Sequence, residues 1–454
     1  TDTALASALG REEDKLLACV HCGLCLEACP TYFHTGDEND SPRGRLYLMR
    51  AVEEERLQRD APAFARHINR CLGCRACEQA CPAGVQYGQL LEAARDDLKT
   101  HVQPRGLIGK ALHFALRHVW LHPARLRTAF RGARFLRTLK IPAILRRSGL
   151  PRLLSPRFAF ALALLEKSAP VDLSGGEEPK SDSLPANSAG TFRTALFTGC
   201  VMEGLFTRVN RATARVLRVN NCAVSVPAAQ VCCGALHAHA GDLEGARTLA
   251  RKNIEAFAAD GEATIITNAG GCGAMIVSYD HLLADDPEYA ERARQFSRRV
   301  KDVSQQLAAT GVKTGAEIAV GATTYDASCH LLYGQQATNE PLRMLEAVSQ
   351  LKLVPLAGSE VCCGGAGVYN LLEPELSGRV LREKLHHVKE TKAQILATGN
   401  PGCHMQIAAG AADDPALRDL RVCHPIEILD ESYRRANFYA GASRLKDEER
   451  TEDR

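Results

Sequence analysis

Cysteine is concentrated in two short blocks near the start of this 454-residue chain, which has 18 cysteines in all. The first block reads CVHCGLCLEACP (19–30) and the second reads CLGCRACEQACP (71–82). Both follow the spacing Cys-x2-Cys-x2-Cys-x3-Cys-Pro, in which three thiolates hold one iron–sulfur cube and the fourth reaches a neighbouring cube. The blocks therefore predict two adjacent [4Fe–4S] clusters, which carry single electrons.

Exchange of the fourth ligand assigns every cysteine of the two blocks to a cluster. The first thiol set is Cys19, Cys22, Cys25 and Cys81, and the second thiol set is Cys71, Cys74, Cys77 and Cys29. Zinc is the alternative, because four thiolates suit that ion too, but two copies of a cluster spacing are more than a zinc site uses. Apolar residues at helical spacing between the blocks predict a helical ferredoxin module over 1–100.

Size and composition are those of a globular protein with several domains. The hydrophobic content is 45%, the charged content is 24% and the net charge is +3. The N-terminal stretch lacks the pattern of a secretory signal, and no apolar run is long enough to span a bilayer. Many cysteines without such a signal favour metal ligation in a reducing compartment over disulfides, so we expect a cytoplasmic protein.

A basic segment (101–170) is predicted to follow the ferredoxin module. Residues 98–165 contain no Asp or Glu, while Lys and Arg number 14. Apolar and cationic residues alternate there at a spacing of three and four, and such helices lie on anionic membrane surfaces. An acidic partner subunit and a solvated face above a core are the alternatives. The few aromatic residues of the segment argue against nucleic acid.

A linker rich in Ser, Gly, Pro and acidic residues is predicted over 171–190, and an internal repeat follows it. The first copy (191–310) contains FTGC, VCCGA and GGCGAM, and the second (311–440) contains DASCH, VCCGGAG and GNPGCHM. Matching cysteines are 129 to 131 residues apart. A polar tail is predicted over 441–454.

Strands alternate with helices in each copy. The stretches TALFTGC, ATIITNAGGC and AQILATGNPGC are each typical of a short buried strand that enters a glycine-containing turn. Alternation with helices indicates a parallel sheet covered by helices. We therefore predict a multidomain fold: a helical two-cluster ferredoxin module, then an α/β domain made of two related lobes with parallel sheets. Because ligands gather beyond the carboxyl ends of parallel strands, the cysteines of each lobe should converge.

The duplicated Cys…Cys-Cys-Gly…Cys pattern resembles the cysteine-rich CCG domain of the heterodisulfide reductase superfamily. With the ferredoxin blocks and phrases such as CHLLYGQ, CCGGAGVYNLLEPELS and HPIEILDESY, the whole chain resembles the iron–sulfur subunits of glycolate oxidases (glycolate dehydrogenases). The fullest CCG motif ends in Cys-x-x-Cys, but Met275 and Gln406 stand where the last cysteine would be. Four thiols per copy suffice for an ordinary [4Fe–4S] cluster, but not for the larger clusters of the fuller motif.

One or two further clusters are accordingly expected in the CCG domain. The lobe 1 thiol set is Cys200, Cys232, Cys233 and Cys272, and the lobe 2 thiol set is Cys329, Cys362, Cys363 and Cys403. If only one lobe holds metal, the second is favoured, because His330, His404 and His424 offer imidazole ligands. The alternative is that one or both sets are unmetallated.

Four other residues are interpreted as structural. His237 and His239 follow the twin cysteines of the first copy and are expected to be solvated or core histidines. Cys222 and Cys423 have no counterpart in the repeat and are expected to be buried thiols.

Substrate oxidation has no predicted site in this chain. No Gly-x-Gly-x-x-Gly turn opens a helix after a strand, and no Ser/His/Asp or paired-carboxylate signature stands out. The resemblance implies an electron-transfer subunit of an oxidoreductase complex that oxidises glycolate or another 2-hydroxy acid. FAD is then expected only in partner dehydrogenase subunits, and electrons would leave for a quinone or another acceptor.

Three other functions share these features. They are a heterodisulfide-reductase-like thiol/disulfide redox subunit, the iron–sulfur subunit of a lactate or glycerol-3-phosphate dehydrogenase complex, and a scaffold that binds clusters transiently. The missing fifth cysteines argue against the first. Peripheral contact with the inner face of the cytoplasmic membrane is compatible with the basic segment, and no nucleic-acid partner is expected.

Overall fold

The computed structural model describes residues 7–101, 106–173 and 191–439. The predicted polar tail (441–454) and residues 174–190, most of the predicted linker, lie outside the described residues. The fold prediction is confirmed: a helical N-terminal module and a helical basic segment precede two lobes that each contain a parallel sheet. Within the described ranges, no helix is both long enough and apolar enough to cross a membrane.

Helices build the ferredoxin module, and prolines mark where several of them begin. Pro30, Pro42 and Pro62 occupy first helical positions, where a missing N–H leaves no hydrogen bond unmade. Ser41 caps the helix that follows it by accepting the N–H of Gly44 at 3.0 Å. The elements of the module are the 3-10 turns Gly10–Glu12 and Glu38–Asp40 and the α-helices Glu13–Leu17, Pro30–Thr35, Pro42–Glu53, Pro62–Asn69, Ala76–Gln79 and Tyr87–His101.

The basic segment is a chain of helices that buries few side chains. Its helices are Gly106–Ala115, the π-helix Leu116–Trp120, Pro123–Thr138, Ile141–Arg147, Leu150–Leu154 and Pro156–Lys167. One helix packs on the first lobe where Gly204 admits the ring of Phe130, because a Cβ at Gly204 would lie 2.4 Å from that ring. The last helix of the segment packs along Pro401–Asp413 in the second lobe.

The first lobe contains four parallel strands in the order β2-β1-β3-β4. The strands are β1 (Phe192–Leu196), β2 (Cys222–Ser225), β3 (Thr264–Thr267) and β4 (Val300–Asp302). The helices around them are Cys200–Leu205, Thr207–Val219, Ala235–His239, Leu243–Ala256, Gly270–Val277, Tyr279–Leu282, Ala290–Arg298 and Val303–Thr310, with a 3-10 turn at Ala258–Asp260.

The second lobe repeats this topology, with strand order β6-β5-β7-β8. Its strands are β5 (Thr323–Asp326), β6 (Leu353–Val354), β7 (Ile395–Thr398) and β8 (Arg421–Cys423). Its helices are the π-helix His330–Gly334, Glu340–Glu346, Tyr369–Leu372, Pro374–Thr391, Pro401–Asp413 and Pro425–Arg435. The residues of β5 and β7 are all buried, as expected of central strands covered on both faces.

The two lobes join through their backbones and through charged side chains. The N–H of Gly270 donates to the carbonyl of Gly399 at 3.0 Å, close to where the third strand of each lobe ends. Arg215 forms two hydrogen bonds with the carboxylate of Asp430, at 2.9 and 2.6 Å. These contacts hold the carboxyl edges of the two sheets near each other.

Candidate metal centres

The first thiol set lies at the surface of the ferredoxin module. Its four cysteines line one cavity together with Arg43 and Tyr87. Cys22 is exposed, and the other three thiols are half-buried. Cys81, from the second block, therefore lies with the three leading cysteines of the first block, which is the exchange that the spacing predicts.

The second thiol set lies deeper in the module. Its four cysteines are all buried and line another cavity, which Arg45 and Thr31 also border. Cys77 lines both cavities, so the two thiol sets adjoin. Ligation by these eight cysteines stays a prediction, but the structure brings the predicted groups of four together.

A buried guanidinium beside the second thiol set fits an iron–sulfur cluster. Arg45 is 0% exposed; its Nε donates to the carbonyl of His67 at 2.7 Å and its Nη2 to Oγ1 of Thr31 at 3.1 Å. Its Nη1 is buried without a hydrogen-bond partner among the described residues. Burial alone would lower the pKa of Arg45, but Cys71 and other neighbours raise it. A fixed cation with a spare N–H suits thiolates that carry negative charge.

Two thiols of the second thiol set have raised pKa values, which makes metal binding by this set depend on pH. Burial, and then the neighbouring thiol of Cys362, raises the pKa of Cys74 well above its usual range. Burial and Cys74 do the same for Cys77. Because a thiol must lose its proton to bind metal, loading of this set releases protons and is favoured by higher pH.

The lobe 1 thiol set converges from three strand ends. Cys200 follows β1, the twin Cys232 and Cys233 follow β2, and Cys272 lies in the helix after β3. The sulfurs of Cys200 and Cys232 are 3.3 Å apart, and Cys233 contacts Cys272. The contact with Cys232, together with burial, raises the pKa of Cys200 well above its usual range. Convergence of the four thiols at one edge of the sheet is as the repeat predicts.

The lobe 2 thiol set has the same arrangement. Cys329 follows β5, Cys362 and Cys363 follow β6, and Cys403 lies in the helix after β7. Cys329 contacts Cys362, and Cys363 contacts Cys403.

The glycine of each CCG motif has a backbone conformation that allows the twin cysteines to turn inward. Gly234 has φ +91° and Gly364 has φ +82°, a region that side chains rarely adopt. A Cβ at Gly364 would also lie 2.7 Å from the carbonyl oxygen of Ser377. The backbone conformation therefore explains why glycine follows the twin cysteines in both lobes.

The lobe 2 thiol set lies against the second thiol set of the ferredoxin module. Cys74 and Cys362 belong to one buried cluster of contacting side chains, which also contains Leu72 and Tyr369. The hydroxyl of Tyr369 donates to the carbonyl of Arg70 at 2.8 Å. Three thiol sets therefore follow one another from the exposed Cys22 to the interior of the second lobe.

A buried ion pair stands beside the lobe 2 thiol set. Nζ of Lys384 lies 2.7 Å from Oδ1 of Asp326, and the two side chains are 0% and 2% exposed. The same Nζ donates to the carbonyl of Gly358 at 2.6 Å. The contact with Cys362 and burial raise the pKa of Cys363, the contact with Cys363 and burial raise that of Cys403, and the carboxylate of Asp326, at the end of β5, adds to both shifts.

Two of the three predicted imidazole ligands hydrogen-bond to backbone groups. His424 is buried, with Nε2 donating to the carbonyl of Asn268 at 2.9 Å and Nδ1 accepting the N–H of Ile426 at 3.1 Å, so neither nitrogen is open to metal. His330 donates from Nε2 to the carbonyl of Gly73 at 3.0 Å. His404 packs edge-on against Phe206 and keeps a buried Nε2 without a partner in the described structure.

The residues interpreted as structural lie in or beside the cores. His237 is fully buried, with Nδ1 2.6 Å from Oδ2 of Asp242, and His239 is half-buried beside Glu92. Cys222 and Cys423 are both 0% exposed.

Sequence reasoning did not identify Arg45, Lys384 or Asp326. The two cations interrupt the apolar stripe of a helix: Arg45 lies on the face of Met49, and Lys384 on the face of Val380 and Val388. A cation on an apolar helical face was the signal that could have found them, because charge is buried only where a partner compensates it.

Family models match three parts of the chain. A model of the 4Fe-4S dicluster domain matches residues 15–85, and a model of the cysteine-rich CCG domain matches residues 194–277 and 323–408. The probable glycolate oxidase iron–sulfur subunit of Bacillus subtilis (strain 168) is 36% identical, over 93% of this chain and 95% of that protein. The glycolate oxidase iron–sulfur subunit of Escherichia coli (strain K12) is 31% identical, over 95% of this chain and 98% of that protein.

A shorter relative covers half of the chain. Lactate utilization protein A of Geobacillus thermodenitrificans (strain NG80-2) is 32% identical over 52% of this chain and 98% of its own length. The cofactor prediction of a 4Fe–4S dicluster module followed by two cysteine-rich domains is confirmed by the domain matches.

Proposed function

Because the chain belongs to the family of glycolate oxidase iron–sulfur subunits, we propose that it is the electron-transfer subunit of a flavin-dependent glycolate (2-hydroxy acid) oxidase or dehydrogenase complex. Oxidation of the substrate takes place in a partner subunit that carries FAD. The observation that carries this proposal is the succession of three thiol sets, which runs from the exposed Cys22 to Cys74 and on to Cys362.

The eight cysteines of the ferredoxin module hold two clusters in this proposal, and the CCG thiol sets hold one or two more. A [4Fe–4S] cluster supplies one-electron acceptance and release when bound. The chain's own residues keep the deeper set dry and compensate its charge: the second thiol set is buried, and Arg45 beside it stays protonated. The first thiol set stays accessible from the surface, where Cys22 is exposed.

The face around the first thiol set is the proposed docking site of the FAD subunit. Val20 is 71% exposed and Leu24 59% exposed, on the loop that also carries Cys22. Tyr47, 53% exposed, lies beside it with its ring 6.3 Å from that of His21. Exposed apolar side chains grouped around a redox site are typical of a protein interface.

The lobe 2 thiol set is the proposed exit toward a quinone or another acceptor. It lies next to the second thiol set, and the buried cation of Lys384 stands behind it. Because Lys384 pairs with Asp326, this buried charge is compensated and adds no net positive charge beside the thiols.

The basic segment is the proposed contact with an anionic membrane surface. Leu153 and Leu154 are 86% and 71% exposed, and Phe135 is 63% exposed, in a region whose charged residues are almost all cations. At about 1 kcal/mol per cation near the surface, a handful of contacts gives reversible peripheral attachment. This arrangement brings the chain to a membrane-dissolved quinone.

Anaerobic purification with partners attached tests the central proposal. We expect co-purified flavin, glycolate-dependent reduction of the complex, and about twelve to sixteen iron atoms per chain if the CCG thiol sets hold one or two clusters. About eight iron atoms per chain would confine the metal to the ferredoxin module. Zinc in place of iron, or the absence of any flavoprotein, would contradict the proposal.

The docking face is tested by the double variant Val20→Ser/Leu24→Ser. We expect the loss of the co-purifying flavoprotein with unchanged iron content, because the substitutions remove apolar contact area and no thiol. Leu136→Ser, which changes a residue 43% exposed on the basic segment, is the matched control and should retain the partner. Equal retention by both variants would place the docking site elsewhere.

Flotation with lipid vesicles tests the membrane contact. The complete chain should float with vesicles of anionic phospholipid and not with zwitterionic ones, and added salt should release it. Leu153→Ser/Leu154→Ser should weaken flotation, whereas Val20→Ser/Leu24→Ser should not. Salt-independent binding, or none, would contradict this part of the proposal.

Lactate oxidation is the second candidate function. It is favoured by the match with lactate utilization protein A, which covers 52% of this chain. The two candidates differ only in the substrate of the partner, so reduction of the purified complex by glycolate or by lactate decides between them.

A further inference from the structure

Trp120 is the only tryptophan of the chain, and it approaches the first lobe from outside it. The residue ends the π-helix Leu116–Trp120 of the basic segment. Its ring meets Phe130 edge-on at 6.1 Å between centroids. It packs against the same core as Cys200 and Cys272. A side chain of the basic segment therefore reaches one thiol of the lobe 1 set, that of Cys200.

The indole N–H of Trp120 is buried and has no hydrogen-bond partner of ordinary geometry among the described residues. Tryptophan is a donor only, and a buried N–H without an acceptor is destabilising. The group that the indole N–H approaches is the thiol of Cys200.

The chemistry of sulfur explains a donor in this position. A neutral thiol is a weak acceptor, whereas a metal-bound thiolate carries negative charge and accepts N–H groups well. Hydrogen bonds to cluster sulfurs are among the factors that set reduction potentials, and they favour the reduced, more negative state. A charged sulfur on Cys200 would therefore be the hydrogen-bond acceptor that the indole N–H lacks.

We propose that Trp120 is a positioning residue of a metal centre in the first lobe, where its indole N–H donates a hydrogen bond to the sulfur of Cys200 once that sulfur is a metal-bound thiolate. The bond raises the reduction potential of that centre. The proposal rests on the form of the proposed function in which both CCG thiol sets hold clusters. It adds a residue from the basic segment, outside the cysteine motifs.

Replacement of one atom of one residue gives the sharpest test. Because the chain has a single tryptophan, β-(benzothienyl)alanine can be incorporated in place of tryptophan throughout the chain and will change only position 120. This analogue has the shape of indole but carries sulfur instead of N–H. Trp120→Phe removes the donor by mutation, and Phe130→Leu perturbs the same packing without touching the donor.

The measurement is a redox titration of the complete chain, loaded anaerobically with iron and sulfide and followed by EPR. Cys232→Ser/Cys233→Ser identifies the signal that belongs to the first lobe. We expect both donor-free proteins to keep their iron and to shift this one signal to lower potential. Phe130→Leu should leave the potential unchanged, and the other signals should not move in any variant.

Two results would overturn the proposal, and they can be told apart. An unshifted first-lobe signal in the analogue-substituted protein, with its iron retained, removes the role of Trp120 and leaves the proposed function intact. If Cys232→Ser/Cys233→Ser keeps the iron content and all EPR signals of the parent, the first lobe holds no cluster. That second result removes the first-lobe centre from the proposed function together with the role of Trp120.

Discussion

The two lobes have the same strand order and place four cysteines at the same three strand ends, yet the groups around the cysteines differ. Phe197 in the first lobe and Asp326 in the second occupy matching positions, three residues before the cysteine that follows the central strand. Phe197 packs against Phe257 in an apolar core. Asp326 instead pairs with the buried Lys384. At this position one lobe therefore has a stacked aromatic pair and the other has a buried ion pair.

The thiol sets of the lobes also have different neighbours. Cys362 of the lobe 2 set shares a small buried cluster with Cys74 of the ferredoxin module. Cys232 and Cys233 of the lobe 1 set share a larger core with Cys71 and Cys77, and Trp120 packs against that core. Duplication has thus kept the backbone positions that gather four thiols and changed what those thiols face. In the proposed function, the second lobe takes the electron-transfer step next to the ferredoxin module.

The residue that caps the helix after the last strand also differs between the two lobes. Asp302 caps Val303–Thr310 and His424 caps Pro425–Arg435, each in a capping box. Burial raises the pKa of Asp302 to about 6. Burial lowers the pKa of His424 to about 4, although its bond to Asn268 opposes the shift. Matching positions therefore respond to pH in opposite directions.

The largest expected effect comes from removing the twin cysteines of one lobe at a time. Cys362→Ser/Cys363→Ser should reduce electron delivery from the partner to a quinone to background, because these thiols adjoin Cys74. Cys232→Ser/Cys233→Ser should leave most of it. The measurement is glycolate-dependent quinone reduction by the purified complex, with iron content as control. Equal losses in both variants would break the proposed division between the lobes.

The buried ion pair of the second lobe should have a large effect on stability. Lys384→Met leaves Asp326 buried and uncompensated, which we expect to cost about 3–5 kcal/mol of unfolding free energy. The double variant Lys384→Met/Asp326→Leu should recover most of it. Phe197→Leu, the change at the matching site of the first lobe, should cost less than about 1.5 kcal/mol. Urea unfolding measures all three variants. A loss of unfolding free energy in Lys384→Met no larger than that in Phe197→Leu would contradict this prediction.

The smallest expected effect concerns the two helix caps. His424 is neutral when folded and binds a proton more readily when unfolded, so its contribution to stability falls as pH drops from 7 to 5, by about 2 kcal/mol. Asp302 has a raised pKa, so its contribution grows by about 1 kcal/mol over the same fall in pH. The two slopes have opposite signs because one cap is a base with a lowered pKa and the other an acid with a raised pKa.

Variants that keep the cap separate these two slopes. When the pH falls from 7 to 5, His424→Asn should lose less stability than the parent, and Asp302→Asn should lose more, as measured by the urea midpoint. Asparagine caps helices as well as aspartate does, so each change mainly removes the titration. Parallel pH profiles for the parent and both variants would show that neither cap titrates in this range.

The cysteine blocks, the repeat and the alternation of strands with helices were predictable because each depends on local spacing. Four thiols at fixed intervals, a glycine after twin cysteines, and a short apolar run before a turn are constraints that the backbone imposes within a few residues. The convergence of Cys200, Cys232 and Cys272 follows from the parallel sheet, since strands in register bring their carboxyl ends to one edge.

The sequence alone therefore determined which residues form each thiol set and the class of fold that gathers them. Only the tertiary structure decided that Cys74 meets Cys362, that Trp120 folds over Cys200, and that Lys384 and Asp326 share one buried site. The physical reason is that these contacts join elements far apart in the chain, where packing of whole surfaces sets the partners. Such packing leaves no periodicity or spacing in the sequence from which the partners could be read.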